Sequence, residues 1–219
     1  MKRPYITLKF AQTLDGRIAA QDGSSKWISG PESRKFSHKL RAENDGILVG
    51  VQTILADNPS LTVRLVKGRN PARIVIDPRL RIPLAARIMK DTKTAKTIII
   101  TTPTSPARKK ERLKSRGVEF IVLPASKGGN IDLRKIIRIL YKKGIKRILV
   151  EGGSRVITSF LKTGLTDMII TVLSPRILGK GIETVGDLGI RNIKGALKLR
   201  LKALKQLGED IIYIAYISR

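Results

Sequence analysis

The chain has no cysteine and a single histidine, His38, among its 219 residues. Without thiols it can form no disulfide, thiolate zinc site, iron–sulfur cluster or cysteine nucleophile. One imidazole leaves little for a histidine-ligated metal, so a metalloenzyme is disfavoured. We place His38 on a helix surface beside Lys39, without a chemical partner.

Long apolar runs are also absent, since none approaches the ~20 residues that a membrane span requires. Residues 1–4 show no charged-then-apolar leader and run directly into a strand-like segment. We therefore expect a soluble, cytoplasmic protein without a membrane partner. With 42% hydrophobic residues, a chain of this length can bury roughly 70% of its unfolded surface, and the prediction is a single domain over residues 1–219.

Negative charge is scarce: 17 acidic residues stand against 44 lysines and arginines, which gives a formal net charge of +27. Such an excess is typical of proteins that bind polyanions. The basic residues are spread over all predicted elements, however, without a recognition motif or interleaved aromatic residues. This favours a solvated, heat-tolerant surface over nucleic-acid binding, and an anionic phosphorylated substrate fits either interpretation.

Strand-like and helix-like segments alternate along the chain, which is typical of an α/β sheet. Strands are predicted at residues 5–11, 47–49, 61–66, 73–76, 97–101, 118–123, 147–150 and 168–173. Helices are predicted at residues 31–44, 51–56, 106–116, 132–143 and 154–163. Alternating leucines and basic residues from Leu197 onward, then residues 211–217, predict an antiparallel hairpin that closes a mixed sheet. We expect residues 176–195 to form a long functional or mobile loop.

Two strand-to-helix turns contain glycine, one at residues 150–154 and one at residues 49–53. The start of a helix leaves backbone N–H groups unpaired, so each turn is a candidate anion site, with plain turn geometry as the alternative. On parallel strands the two turns are candidates for flanking one crevice. The phosphate-binding Walker loop and the Gly-x-Gly-x-x-Gly fingerprint are both missing, which disfavours a standard Rossmann domain.

Several segments resemble the pyrimidine reductase of riboflavin biosynthesis in sequence, order and spacing. The most specific is Ala-Asp-Asn-Pro-Ser-Leu-Thr-Val-Arg at residues 56–64. The remaining segments lie at residues 4–9, 14–19, 25–29, 40–42, 50–55, 150–154 and 175–179. Because these segments extend over essentially the whole chain, it is identified as a member of that reductase family.

The resemblance implies a dihydrofolate-reductase-like fold, with a mixed, mostly parallel sheet flanked by helices and a C-terminal antiparallel hairpin. It also implies a homodimer that uses NADPH to reduce the ribosylamino side chain of a pyrimidine 5′-phosphate to ribitylamino. The cofactor supplies the hydride, and the protein orients it toward C1 of the opened sugar. Since no deaminase segment with histidine and cysteines precedes Met1, we expect a stand-alone reductase.

Residue roles follow from the motif positions of the family. The resemblance implies that Lys9, Asp57 and Glu151 handle protons. The implied cofactor positions are Ala11, Trp27, Thr53, Asp57, Gly152, Gly153, Ser154, Arg155, Val156, Ile157, Thr158 and Ser159. The implied substrate positions are Ser25, Arg41, Leu61, Arg64 and Glu151, where the arginine forks suit a sugar phosphate. The alternatives are a solvated Lys9, a turn-capping Asp57, a core Trp27 and surface arginines.

The residues leave the substrate open between two pyrimidines. The expected stand-alone reductase, without a fused deaminase, favours 2,5-diamino-6-ribosylamino-4(3H)-pyrimidinone 5′-phosphate. Lys9 and residues 25–28 look closer to the bacterial form, which acts on 5-amino-6-(5-phosphoribosylamino)uracil. Two further hypotheses are a pterin reductase of the same fold and a basic nucleic-acid-binding protein, although a pterin reductase has no need for two arginines placed for a sugar phosphate.

Overall fold

The computed structural model describes residues 2–126 and 128–218 of the chain. It contains two compact units: a first unit of Met1–Pro4 and His38–Leu149, and a second unit of Tyr5–Ser37 and Val150–Arg219. The expectation of one domain stays a prediction.

Eleven strands and six helices make up the secondary structure of the described residues. The strands are β1 (Tyr5–Thr13), β2 (Arg17–Ala20), β3 (Gly46–Gly50), β4 (Ala72–Ile76), β5 (Thr97–Thr101), β6 (Val118–Val122), β7 (Arg147–Val150), β8 (Met168–Ser174), β9 (Gly181–Glu183), β10 (Leu199–Leu207) and β11 (Asp210–Ile217). The helices are α1 (Pro31–Ala42), α2 (Val51–Asp57), α3 (Arg87–Lys90), α4 (Ala107–Lys114), α5 (Leu133–Lys142) and α6 (Ser154–Lys162), with a 3₁₀ turn at Ile193–Gly195.

The first unit is built on a run of strands in the order β7-β3-β4-β5-β6, and the pairs from β3 to β6 are parallel. Ile74 of β4 pairs with Leu48 of β3 and with Ile98 of β5, and all three side chains are fully buried. Branched side chains suit the pleated backbone, and strands buried along their whole length are typical of parallel sheets. This part of the α/β prediction is confirmed.

Helix α5, also in the first unit, shows how the sequence determines where a helix begins and which of its faces is buried. The carboxylate of Asp132 accepts a hydrogen bond from the Arg134 N–H at 2.8 Å and so caps the helix start. One face is apolar at helical spacing and is buried, whereas the opposite face is basic and exposed. The buried residues are Leu133, Ile136, Ile137 and Leu140, the same side chains that the periodicity of the sequence predicts to face inward.

The second unit contains the strand order β10-β11-β8-β1, and β2 and β9 form a separate antiparallel pair. Strands β1 and β8 are parallel, whereas β8-β11 and β11-β10 are antiparallel. The Asp167 carboxylate accepts the Ile6 N–H at 2.8 Å and aligns the starts of β1 and β8. The predicted C-terminal antiparallel hairpin is therefore confirmed.

The hairpin contains a β-bulge that the simple alternation of its sequence does not reveal. Leu201 pairs with Ala215 and Ala203 pairs with Ile214, so Lys202 is an extra residue on β10. The shift keeps Leu199, Leu201 and Leu204 on one face of the sheet. These leucines are 39%, 54% and 60% exposed, and β10 is at the edge of the sheet order among the described strands. We call them the leucine face.

Residues 61–66, which the β-branched pattern assigns to a strand, have no regular secondary structure. The prediction is wrong because Leu61 adopts a left-handed φ of 54°, outside the β region of the backbone. Strand β2 and the short helix α3 were not predicted.

The predicted long loop at residues 176–195 contains β9 and the 3₁₀ turn. The Asp15 carboxylate accepts the backbone N–H groups of Leu178 and Gly179 at 3.1 and 2.7 Å. Mainly because the Thr13 hydroxyl also donates to this carboxylate, the pKa of Asp15 is lowered to about 2. The start of the segment is thus held to the end of β1 rather than free.

Over residues 2–126 and 128–218, no helix is both long enough and apolar enough to cross a bilayer. The cytoplasmic location stays a prediction.

Candidate active site

The two arginines implied as substrate ligands both donate hydrogen bonds to one residue of the first unit, Thr62. The Arg41 guanidinium donates to the Thr62 carbonyl oxygen at 3.3 Å, and the Arg64 guanidinium donates to the Thr62 hydroxyl at 2.8 Å. Leu61, also implied as a substrate residue, is 2% exposed and anchors the segment in the core. The structure therefore brings Arg41, Leu61 and Arg64 together.

The backbone of this segment is held by side chains instead of a strand partner. The Val63 N–H donates to the Asn70 amide oxygen at 2.7 Å, and the Arg64 N–H donates to Nδ1 of His38 at 2.8 Å. The placement of His38 on the helix surface without a partner is therefore wrong, since it is 6% exposed and hydrogen-bonded. We call residues 61–64 the arginine segment.

The surroundings of Arg64 are strongly positive. Burial lowers the pKa of the Arg64 guanidinium most, and the charges of Arg41 and Arg87 lower it further, while Asp91 opposes them. Because the charges of Arg41 and Arg87 disfavour the charge on Arg64, a doubly charged anion bound beside Arg64 would be stabilised. Arg87 was missed by the sequence analysis, because no local pattern links helix α3 to the arginine segment.

Asp91 only partly offsets the positive charge around Arg64, because its carboxylate is paired with Arg73. The side chain of Arg73 is fully buried and also donates to the Thr97 hydroxyl at 3.0 Å and the Ala95 carbonyl at 2.8 Å. A buried guanidinium requires such a complete set of acceptors. The Asp91 carboxylate, although partly exposed, is thus committed to the buried Arg73 guanidinium.

Thr53 and Asp57 lie on helix α2, which leads into the arginine segment. Asp57 is the last helical residue and is half-buried. Asn58, not Asp57, adopts the left-handed conformation that ends the helix, with φ 43°, and its amide oxygen accepts the Arg87 N–H at 2.8 Å. This bond ties the missed arginine to the end of α2.

In the second unit, the turn that follows β7 has a backbone that only glycine adopts easily. Gly152 has φ 135°, and Gly153, the N-cap of α6, has φ 68° and ψ 121°. Because its cap is glycine and its first turn has no acidic residue, helix α6 offers first-turn N–H groups to an external acceptor. We call residues 151–153 the glycine turn.

The residues of α6 that the resemblance assigns to the cofactor differ in how they are engaged. The Thr158 hydroxyl donates to the Ser154 carbonyl at 2.7 Å and accepts the Gly186 N–H at 2.8 Å. The Ser159 hydroxyl donates to the Arg155 carbonyl at 2.7 Å. Ile157 is fully buried, whereas Ser154 and Val156 are half-buried. The start of the helix is thus better placed for a ligand than Ile157.

Lys9, Ala11 and Glu151 also belong to the second unit. Lys9 and Ala11 alternate on β1, where they pair with Ile170 and Val172 of β8. Lys9 is half-buried, and the alternative of an ordinary solvated lysine on a strand face stays open. Glu151 directly follows β7 and is half-buried as well. Their roles in proton handling stay predictions.

Trp27 is 61% exposed, so the alternative of a core tryptophan is wrong. The Arg34 guanidinium lies 4.5 Å from the centre of its ring, a cation–π geometry. Arg176 donates to the Trp27 carbonyl oxygen at 2.8 Å, and the Ser25 carbonyl accepts the Ile28 N–H at 3.0 Å. The segment that carries Ser25 and Trp27 is therefore ordered by polar contacts.

Comparison with known proteins decides the family. The RibD C-terminal domain matches residues 4–213. The chain belongs to this family. Among its relatives, the riboflavin biosynthesis protein RibD of Aquifex aeolicus is 48% identical over 96% of this chain and 57% of its own length. The 2,5-diamino-6-ribosylamino-4(3H)-pyrimidinone 5′-phosphate reductase of Methanothermobacter thermautotrophicus is 39% identical over 96% of both chains.

Solved structures of the family agree with the fold. RibD of Acinetobacter baumannii superposes with a TM-score of 0.86 at 28% identity, over 99% of this chain and 59% of that one. The chain thus spans a little more than half of the RibD proteins that it matches. Dihydrofolate reductase of Enterococcus faecalis gives a TM-score of 0.55 at 14% identity, over 100% of this chain and 99% of that one. The predicted dihydrofolate-reductase-like fold and family are confirmed.

Proposed function

We propose that this protein is an NADPH-dependent reductase of riboflavin biosynthesis, which converts the ribosylamino side chain of a pyrimidine 5′-phosphate to ribitylamino. The observation that carries the proposal is the convergence of Arg41 and Arg64 on Thr62. Planar guanidinium groups bind phosphate through paired hydrogen bonds. Membership in the RibD C-terminal domain family supports a sugar phosphate as the anion.

The substrate that we propose is 2,5-diamino-6-ribosylamino-4(3H)-pyrimidinone 5′-phosphate. The reductase of that name from Methanothermobacter matches over 96% of its own length. The alternative is 5-amino-6-(5-phosphoribosylamino)uracil, which the solved Thermotoga maritima deaminase/reductase carries in its name at 30% identity. Both substrates present the same ribose phosphate to the arginine segment, so this segment does not discriminate between them.

The glycine turn and the start of α6 fit the diphosphate of a dinucleotide. Gly152 and Gly153 have positive φ values and, as glycines, place no Cβ atom beside the first-turn N–H groups of α6. Gly152, Gly153, Ser154 and Arg155 would hold the cofactor there. NADPH, when bound, supplies the hydride, and the protein orients it and keeps water away.

We assign proton handling to Asp57, Glu151 and Lys9. Opening of the sugar ring and reduction of the imine at C1 require a proton to be moved on or near the sugar, and half-buried carboxyl and ammonium groups are suited to this task. Asp57 lies at the end of α2, which leads into the arginine segment. Glu151 directly precedes Gly152.

The leucine face supports the proposal of a homodimer. Leu199, Leu201 and Leu204 are exposed on an edge strand of the described sheet, and an exposed apolar sheet face favours association. Leu201→Lys combined with Leu204→Lys should convert the dimer to a monomer in light scattering. A protein that is monomeric before these substitutions would contradict the homodimer.

The function is tested by following NADPH oxidation at 340 nm with purified protein and each of the two pyrimidine phosphates in parallel. Turnover with the diaminopyrimidinone and little with the uracil supports the proposal, and the reverse preference selects the alternative substrate. NADPH binding without turnover of either compound would overturn the proposed reaction. A pterin should then be offered, since the fold is shared with dihydrofolate reductase.

A further inference from the structure

His38 is the only histidine of the chain, and it is used inside the molecule rather than at its surface. Its side chain is 6% exposed, and Nδ1 accepts the backbone N–H of Arg64 at 2.8 Å. A ring nitrogen accepts a hydrogen bond only when it carries no proton, so the geometry requires a neutral imidazole with its proton on Nε2. A histidine held in one tautomer is suited to fixing a backbone position.

The arginine segment depends on such side-chain acceptors. Its residues belong to no strand, and buried or half-buried N–H groups must find partners elsewhere. Asn70 supplies the acceptor for Val63, and His38 supplies the acceptor for Arg64. The position of the Arg64 backbone is therefore set by the imidazole.

Helix α1 contributes to the arginine segment twice. Arg41 follows His38 by three residues, so the two side chains lie on one face of the helix. Arg41 donates to Thr62, while His38 accepts from Arg64. One helical turn therefore provides one guanidinium directly and positions the backbone that carries the other.

We propose that His38 is a positioning residue for binding of the substrate phosphate, acting through the Arg64 backbone. This inference rests on the proposed function, in which Arg64 binds the 5′-phosphate. His38 itself touches neither phosphate nor cofactor in this role. Its loss displaces the fork of Arg64 and weakens phosphate binding, while the chemical step stays intact.

The test replaces His38 with asparagine or with glutamine, whose side chains carry the same amide group at different distances from the backbone. In His38→Asn the amide oxygen occupies the place of Nδ1, whereas in His38→Gln the amide is moved toward the place of Nε2. We expect His38→Gln to raise KM for the phosphorylated pyrimidine about fivefold, in line with the loss of one hydrogen bond. His38→Asn should stay within about twofold of the unmodified enzyme, and kcat and the Kd for NADPH should change little in both.

Ser37→Ala is the matched control, because Ser37 is the neighbouring buried residue and its hydroxyl donates to the Ser33 carbonyl within the same helix. It should leave KM unchanged. Equal KM values for the Asn and Gln variants, or a rise in KM for Ser37→Ala as large as that for His38→Gln, would overturn the positioning role.

A double-mutant cycle separates positioning from general damage. If His38 acts through Arg64, then His38→Gln should have no further effect on KM in an Arg64→Ala background. Additive effects would overturn the inference. An unchanged KM in Arg64→Ala alone would instead overturn the phosphate role in the proposed function. A raised KM in Arg64→Ala with an unchanged KM in His38→Gln would overturn only the role of His38.

Discussion

The arginine segment of the first unit and the glycine turn of the second unit are both candidate anion sites, but different chemical groups form them. In the first, side chains supply the charge, and the guanidinium groups of Arg41 and Arg87 act on that of Arg64. In the second, backbone N–H groups at the start of α6 supply it, and glycine keeps them accessible. A carboxylate accompanies each region: Asp57 stands four residues before Leu61, and Glu151 directly precedes Gly152.

This difference determines which substitutions remove anion binding at each region. A charge carried by a side chain is removed by truncating that side chain, and the backbone stays in place. A site made of backbone is insensitive to most side-chain changes, but it is lost when a Cβ enforces another φ. Substitutions chosen on this basis should separate substrate binding from cofactor binding.

The two carboxylates should show the largest effects. We expect Asp57→Asn and Glu151→Gln each to lower kcat by about 10²-fold or more, because general acid–base groups contribute on that scale. The Kd for NADPH should stay within about twofold. Steady-state oxidation of NADPH at 340 nm measures kcat, and fluorescence titration of NADPH measures its Kd. Unaltered turnover in both variants would move the proton chemistry to different residues.

Gly153→Ala should weaken binding of the cofactor and leave binding of the substrate unchanged. At φ 68° and ψ 121° an alanine is strained, so the turn shifts, and we expect the Kd for NADPH to rise about tenfold. Gly164→Ala is the control, because it also places an alanine at a positive φ, 63°, beyond the opposite end of α6, with open space around the new Cβ. An equal rise in Kd for both variants would contradict a specific role of the turn.

Arg87→Ala should weaken binding of the substrate and leave binding of the cofactor unchanged. Arg87 influences Arg64 through its charge, and its removal should raise KM for the phosphorylated pyrimidine about threefold, with kcat unchanged. Arg69→Ala removes an exposed guanidinium of the same unit that is paired with Asp45 and should leave KM as it is. If Arg87→Ala lowers KM, then the cluster holds too much positive charge for its ligand, and Arg87 does not assist phosphate binding.

Lowering the pH should have the smallest effect of these changes. It protonates the Asp15 carboxylate of the second unit and so lowers Tm. The folded-state pKa of about 2 lies below the ordinary value of 3.8, so Asp15 stabilises the folded protein above about pH 4, and this contribution is lost as the pH falls through 2. The difference in Tm between the unmodified protein and Asp15→Asn should therefore shrink from pH 5 to pH 2. A constant difference over this range would contradict the lowered pKa.

Much of the fold could be predicted from local sequence patterns. Helix α5 has its cap at Asp132 and an apolar face at helical spacing, and the strands from β3 to β6 are rich in branched residues, so pattern and structure agree. The glycine turn was also predicted, because a glycine pair one residue after a buried strand is typical of a tight turn into a helix. In these places local preference and tertiary structure demand the same conformation.

The predictions failed where contacts distant in sequence override the local pattern. Residues 61–66 have the composition of a strand, yet Leu61 is left-handed and the following N–H groups bond to Asn70 and His38. The partner of His38 lies 26 residues away, and that of Arg87, Asn58, lies 29 residues away. No short pattern encodes such pairs, so the roles predicted for Arg41 and Arg64 depended on resemblance to a family.

The bulge at Lys202 makes the hairpin tolerant of a change in chain length. Because Lys202 is the extra residue between two regular stretches of pairing, a chain without it would keep every remaining pair and the same leucines on the same face. A one-residue deletion here is therefore expected to be silent, whereas a deletion within β11 would shift its alignment with both β10 and β8. Natural length variation in this hairpin should accordingly be found on β10.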